Sequence, residues 1–193
     1  MKIPVLVFSR APVPGRVKTR LAARLGAWRA ARLHLRLTRL ALRTARAAAC
    51  GPVELHVTAH HHAFPRNEKK FLQRGNNLGE RMYRALHRHK TAILIGSDCP
   101  ALRAADIRAA ARRLRAGYRV VLAPAEDGGY ALIAARCPPR ALFEDIAWGG
   151  PEVFAETLRR LRGLRWSSLR TIWDVDRPED LERLRALLFA RRY

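Results

Sequence analysis

The chain has 193 residues, 49% of them hydrophobic, and 38 lysines and arginines against 16 acids give it a formal charge of +22. That length supports one domain, residues 1–193, with a full core, and is short for two; no apolar run is long enough to span a bilayer. Cys50, Cys99 and Cys137 are far apart, odd in number and without a CxxC pair, which speaks against a disulfide framework or a structural zinc site and for a reducing compartment.

The N-terminal MKIPVLVFSRAP has no small-residue cleavage site and runs on into arginine-rich sequence, so it reads as a first strand, Ile3 to Phe8, of a cytoplasmic protein. The loop SRAPVPGRVKTR follows, made irregular by Pro12, Pro14 and Gly15 and carrying Arg10, Arg16, Lys18 and Arg20. A basic loop between a strand and a helix can cradle phosphate, because the helix N-terminus adds free N–H groups and a favourable dipole. It is not a Walker A loop, since Val17 stands where the second glycine should be. An exposed basic surface loop is the alternative reading.

A short helix is expected to end at Gly26, followed by a longer one from Ala27 towards Ala49 with Leu33, Leu37 and Leu40 on one face. Only 5 of the 38 basic residues are lysine, and the arginines interleave with Leu and Ala at helical spacing, as in ARLHLRLTRLALRTARA. A charge of this size can attract nucleic acid, anionic membrane or phosphorylated molecules. With no nucleic-acid motif beside them, the dispersed arginines read as solvent-facing helix positions in preference to a nucleic-acid surface.

Val53 to Ala59 alternates as a second strand. His60, His61 and His62 after it form a surface loop and not a metal site, because neighbours on a strand point to opposite sides. Phe64 to Lys70 reads as a connection. In QRGNNLGERM, Gly75 and the two asparagines make a loop in which Gln73, Asn76 and Asn77 could bond a base or sugar, or simply turn the chain. Leu78, Met82 and Leu86 then begin an amphipathic helix. TAILIGSDCPAL, Thr91 to Leu102, is a buried strand closed by a Gly-Ser-Asp-Cys-Pro corner. It places Asp98 at a strand tip, where ligands gather in α/β sheets.

A helix from Ala104 to Ala116 should bury Ile107, Ala111 and Leu114, and Arg119 to Ala123 should form another strand. In PAEDGGYALIAA, Gly128 and Gly129 turn the chain into a strand from Tyr130 to Ala135, with Asp127 at the bend. FEDIAWGGPEVF presents Trp148 before two glycines and a helix opened by Pro151, whose buried face is Phe154, Leu158 and Leu161. Leu169 to Val175 leads into DVDRPEDLERLRALL, with Leu181, Leu184 and Leu188 facing inward. The alternation implies a three-layer α/β/α sandwich with a mixed, mainly parallel sheet.

Asp98, Glu126, Asp127, Asp174 and Asp176 all fall at expected strand ends. Such carboxylates repel one another unless a cation is held between them, and Mg²⁺ or Mn²⁺ suits a set of oxygen ligands completed by substrate phosphates. Together, APVPGRVKTRL, LGERM, LIGSDCPAL, PAEDGGY and DVDRPEDL resemble the glycosyltransferase-A-like family described as radical-SAM and selenodomain-associated transferases. They are more distantly similar to small nucleotidyltransferases such as the molybdenum cofactor and phospholactate guanylyltransferases.

The resemblance covers almost the whole chain. It implies a metal-dependent transferase acting on a nucleotide or nucleotide-sugar and a small acceptor, with glycosyl transfer first, nucleotidyl transfer second, and a non-catalytic nucleic-acid-binding protein on the same fold as a further alternative. Arg10, Pro14, Gly15, Arg16 and Lys18 would meet the nucleotide together with Gln73, Gly79 and Arg81. Asp98 would anchor the metal with Asp174 and Asp176, and Asp127, Gly128, Gly129 and Trp148 would face the sugar or acceptor. Asp98, Lys18 and Asp127 are the expected catalytic residues. Three positions depart from the family pattern: Asn77 replaces an aspartate, Gly149 and Gly150 stand where a hydroxyl residue is usual, and Arg177 replaces a Thr or Ser helix cap ahead of Pro178.

Overall fold

A computed structural model describes residues 1–190. The order is β1 (Val5–Ser9), α1 (Thr19–Leu25), α2 (Ala27–Ala48), β2 (Val53–Val57), β3 (Lys70–Leu72), α3 (Leu78–His89), β4 (Thr91–Gly96), α4 (Ala104–Arg115), β5 (Val120–Pro124), β6 (Tyr130–Arg136), a 3₁₀ turn (Arg140–Phe143), α5 (Val153–Arg160), β7 (Trp166–Ser168) and α6 (Asp180–Ala190). The strands form one sheet in the order β3-β2-β1-β4-β6-β5-β7. All pairings are parallel except those of β6, which runs antiparallel to both β4 and β5.

Strand alternation divides the core between the two faces of the sheet. Val5, Val7, Ile93, Ile95 and Val121 point to the side covered by α2 and α4, where Leu42, Ala45, Ile107 and Leu114 meet them. Leu6, Phe8, Leu94, Leu122 and Ile133 point to the other side and are covered by Met82 and Leu86 of α3, by Phe143 and by Leu161. A third cluster of Leu21, Ala30, Leu37, Val175 and Leu184 fastens α1 and α6 against α2. The sheet is thus sandwiched between helical layers, an α/β/α architecture in which β1 and β4 lie at the centre and the chain leaves β1 for one side of the sheet and reaches β4 on the other.

Several expectations need correction. Lys70 opens a strand, β3, at the sheet edge, and the last strand is Trp166–Ser168; of the following segment only Ile172 bridges, to Ala125. Leu78 and Leu188 are exposed, and the buried positions of α3 and α6 are Gly79, Met82, Ala85, Leu86 and Leu184. On α5, Val153 and Thr157 are the buried residues, with Phe154 and Leu158 only packed against the rim of the core. The cap thought lost at Arg177 is supplied from inside the helix: the Asp180 carboxylate accepts from the N–H groups of Asp176 at 2.9 Å and Arg177 at 2.7 Å. Asn77 caps α3 by accepting from Glu80 N at 2.8 Å.

Candidate functional site

The strand order reverses between β1 and β4, and the crevice beyond their carboxyl ends is where ligands lodge in open α/β sheets. Each strand sends one charged side chain into it. Lys18 ends the loop after β1 in a left-handed conformation, φ 48° and ψ 46°, that costs a non-glycine residue about 1–2 kcal/mol. In that conformation its side chain is drawn inward to 7% exposure, with Nζ donating to Asp98 Oδ2 at 3.0 Å and standing 3.8 Å from Asp176 Oδ1. Asp98 comes from the corner after β4 and keeps 39% of its side chain in solvent. Backbone strain of this kind clusters at functional sites, which makes this corner the candidate site.

The acids arrive from separate parts of the chain. Val175 N donates to the Asp98 carbonyl at 3.0 Å, and buried Val175 brings its chain neighbours Asp174 and Asp176 up to Asp98. Arg20 pairs with Asp176 from outside. Burial works against charge on Lys18, but Asp98, Asp176 and Asp174 outweigh it and raise its pKa. Burial alone would push Asp98 up, yet the Lys18 ammonium holds it below the ordinary aspartate value. Asp174 is pushed up to about 6 by burial and by the carboxylates of Asp98 and Asp127.

Lys18 and Arg20 together leave the three carboxylates one positive charge short, and Asp174 is the one without an ion-pair partner among the described residues. Among the described residues no three His, Cys, Asp or Glu side chains form a ready-made metal cage. What remains fits a hard divalent cation held by one or two carboxylates and completed by phosphate oxygens: the donors are all oxygen, and Asp174 carries the cost of the unbalanced charge.

Glu126 lies outside this group, bound to Arg183 at 2.7 and 3.0 Å on the surface. Asp127 occupies the β5–β6 bend, where Oδ1 accepts from Gly129 N at 3.0 Å, and its charge reaches Asp174. Gly128 serves packing: at φ +88° it lets Pro151 approach so closely that a Cβ would lie 1.9 Å from the Pro151 carbonyl oxygen. Gly79 likewise leaves room for Trp148, whose Nε1 would be 2.4 Å from an added Cβ, and Trp148 stands edge-on to Tyr130. The glycine of LGERM is thus the seat of the tryptophan from WGG, two segments that the sequence does not connect.

Gln73 has its amide on the carbonyls of His56 at 2.9 Å and Ser9 at 3.3 Å, and Arg81 Nε donates to Gly75 O at 2.9 Å. Both line a cavity of about 490 Å³ between β3 and α3, with His56, Phe71, Arg74 and Arg88. None of the clustered carboxylates lines this cavity, and the Gln73 bond to the Ser9 carbonyl ties it to the end of β1. Arg10, Pro14, Gly15 and Arg16 make up the intervening loop, with Gly15 at φ 78° and Arg16 N on the Val13 carbonyl. Beneath that loop is a group the sequence reading missed, Ser9, His34 and Thr38, all buried. His34 Nε2 faces the Arg10 carbonyl at 3.0 Å, an acceptor only, which assigns the proton to Nε2. Thr38 bonds Ser9 Oγ at 2.9 Å and the His34 carbonyl at 2.9 Å. The signal was present in α2 as two polar residues four apart on the apolar face.

The family described as "Uncharacterized protein conserved in bacteria (DUF2064)" matches residues 34–150. A protein from Desulfovibrio desulfuricans G20, provisionally described as a nucleotide-diphospho-sugar transferase, is similar at 28% identity and a TM-score of 0.85, over 95% of this chain and 86% of that one. CMP:2-keto-3-deoxy-manno-octonic acid synthetase, solved with CTP, is similar in fold at 16% identity and a TM-score of 0.63, over 99% of this chain and 100% of that one. Rv0371c of Mycobacterium tuberculosis H37Rv, solved with manganese, is similar in fold at 17% identity and a TM-score of 0.58, over 95% and 98%. No curated protein matches the chain.

Proposed function

The chain belongs to the DUF2064 family, and from that premise we propose that it is a transferase, residues 1–193 as one domain, that uses a nucleotide-sugar donor and a small hydroxyl acceptor. The observation that carries the reading is the Lys18–Asp98 pair at the β1/β4 switch point, flanked by Asp174 and Asp176 and left short of positive charge. The likeness to a nucleotide-diphospho-sugar transferase at 28% identity supports the donor class.

In this reading the donor's diphosphate lies along the loop after β1, with Arg16 and Lys18 as counter-charges and loop N–H groups as donors. Its nucleoside end points to the cavity bounded by Gln73 and Arg81, with Gly79 seating Trp148 behind it. Asp98 and Asp176, with Asp174, would hold Mg²⁺ or Mn²⁺, which when bound neutralises charge on the departing diphosphate. The manganese in Rv0371c supports that choice of cation.

Asp127, through the carboxylate oxygen not bonded to Gly129, takes the proton of the acceptor hydroxyl as that oxygen attacks the anomeric carbon. The carbon–oxygen bond to the diphosphate breaks, and the nucleoside diphosphate leaves with the electron pair. Lys18 is already inside the site before substrate arrives, so its electrostatic help needs no rearrangement. Nucleotidyl transfer is the second reading, supported by the full-length fold likeness to a synthetase solved with CTP; there the acceptor attacks the α-phosphorus and pyrophosphate leaves.

A thermal-shift panel of nucleoside di- and triphosphates and nucleotide-sugars, with and without Mn²⁺, tests the donor site. Metal-dependent stabilisation by at least one nucleotide is expected, and its absence throughout the panel would remove the reading. Mass spectrometry of products with candidate acceptors then separates sugar transfer from nucleotide transfer.

A further inference from the structure

The arginines of α2 are aligned on one face of the helix. Arg29, Arg32, Arg36, Arg39, Arg43 and Arg46 follow one another at spacings of three and four, and all are exposed. At about 100° per residue they fall within an arc of roughly 100°, in a line of about 26 Å. Trp28, 76% exposed, lies at the edge of the same arc. The helix contains no acid, and of the six only Arg46 has an ion-pair partner, Glu68. Arg29, Arg32, Arg36, Arg39 and Arg43 make no side-chain hydrogen bond or ion pair among the described residues.

The neighbouring α4 extends the face with exposed Arg108 and Arg112, and a cleft of about 280 Å³ lined by Arg43 and Arg103 lies between the two helices. In the opposite layer Arg84, Arg140, Arg159 and Arg160 each meet a glutamate within one helical turn, while Arg88, stacked on Phe71, and Arg162 have no ion-pair partner among the described residues but form no row. A general excess of arginine would leave both layers alike.

Like charges on adjacent turns destabilise a helix, so a row of them is sustained by burial of the other face and is relieved by a polyanion. A membrane surface is a poor fit, because a helix lying in the interface needs its apolar side free and that side of α2 is in the core. The row of guanidinium groups suits a chain of phosphates, and an exposed indole beside it suits an unpaired base. We propose that the α2 face, Trp28 with Arg32, Arg36, Arg39 and Arg43 at its centre, binds single-stranded nucleic acid, independently of the transferase site.

The test uses the full chain and a labelled oligothymidylate, followed by fluorescence anisotropy over a range of salt concentrations. Binding is expected to weaken with log[salt] at a slope of roughly −3.5 if five arginines engage phosphates at about 0.7 each. The fourfold variant R32Q/R36Q/R39Q/R43Q should bind on the order of 10²-fold more weakly at low salt and lose about 2.8 of that slope. A variant with the same charge removed from the opposite layer, R140Q/R159Q/R160Q/R162Q, should keep most of both.

W28A should weaken oligothymidylate about tenfold while leaving inorganic polyphosphate unaffected. Thermal melts of every variant establish that each is folded. Equal losses in the two fourfold variants, or wild-type binding to phosphatidylserine vesicles with none to the oligonucleotide, would overturn the proposal. A W28A loss that is the same for polyphosphate would overturn the assignment to a single strand. None of these outcomes depends on the nucleotide thermal shifts that decide the transferase reading.

Discussion

Lys18 and Arg36 are both cations, one just before α1 and the other midway along α2, and they are held in opposite ways. Lys18 is almost closed off from water, on a strained backbone, with Asp98, Asp174 and Asp176 around it. Arg36 stands in solvent with further arginines a turn away on both sides and no acid on its helix. In the first region position is fixed and charge is in deficit; in the second, position is free and charge is in excess. Burial makes the difference, since a charge taken out of water requires partners while an exposed one is screened. The first arrangement suits chemistry on a small ligand held in one pose, the second an extended partner that can slide.

That contrast can be broken most directly at Asp98. Replacing Asp98 with Ala should abolish the metal-dependent thermal shift, which for nucleotide at a hundred times its Kd is worth about 2.7 kcal/mol in wild type. The fold should survive, because Asp98 is partly solvent-exposed; a wild-type shift in Mn²⁺ would misplace the centre of the site. Lys18→Met comes next. It leaves three carboxylates without their internal counter-charge and, allowing for the exposure of Asp98, should cost about 2 kcal/mol at neutral pH. Mn²⁺ should restore most of it, which denaturant melts with and without metal can check.

Asp174→Asn should act in the other direction. The Asp174 carboxyl is raised to about 6 in the fold, so its ionisation disfavours the folded state increasingly as pH rises from about 4 to 6, and fully above that. The amide should therefore stabilise the protein by about 1–2 kcal/mol at pH 7.5, after allowance for screening, and leave it unchanged below pH 4. Melts at the two pH values measure it. The smallest effect belongs to α2: removing the charges of Arg32, Arg36, Arg39 and Arg43 should not destabilise the protein and should stabilise it by a few tenths of a kcal/mol per relieved pair, most clearly at low salt. A loss of stability there would mean that these arginines have partners and that the two regions are not opposites.

Much of this was legible in the sequence. TAILIGSDCPAL announces its strand and corner because an uninterrupted apolar run ending in Gly-Ser-Asp-Cys-Pro has few other readings, and Gly26 divides two helices where expected. β3 and β7 were not legible, since three-residue edge strands with no fully buried side chain show no alternation to read. For the site, the acids at strand ends could be listed but not their company: nothing along the chain tells that Glu126 turns outward to Arg183 while Asp174 turns towards Asp98. Gly79, expected to meet the nucleotide, and Gly128, expected to turn the chain and face the acceptor, are places where Trp148 and Pro151 come close. The spacing of the α2 arginines already set them on an outward face of the helix; that five of them would find no acidic partner depends on neighbouring elements and was not in it.

The hydrogen bond from Val175 N to the Asp98 carbonyl has a consequence for how the protein is made. It joins positions far apart in the chain, and two of the four charged side chains of the cluster hang on the later one. While the chain emerges from the ribosome, β1, β2, β3 and β4 are available to pair well before Asp174 exists, so the sheet can precede its own site. A nascent chain at that stage carries Lys18 and Asp98 but not the Asp174 and Asp176 that complete the group. If the proposed function holds, competence to bind a nucleotide arrives with the closing segment, and a chain terminated before Asp174 is expected to show no metal-dependent nucleotide binding.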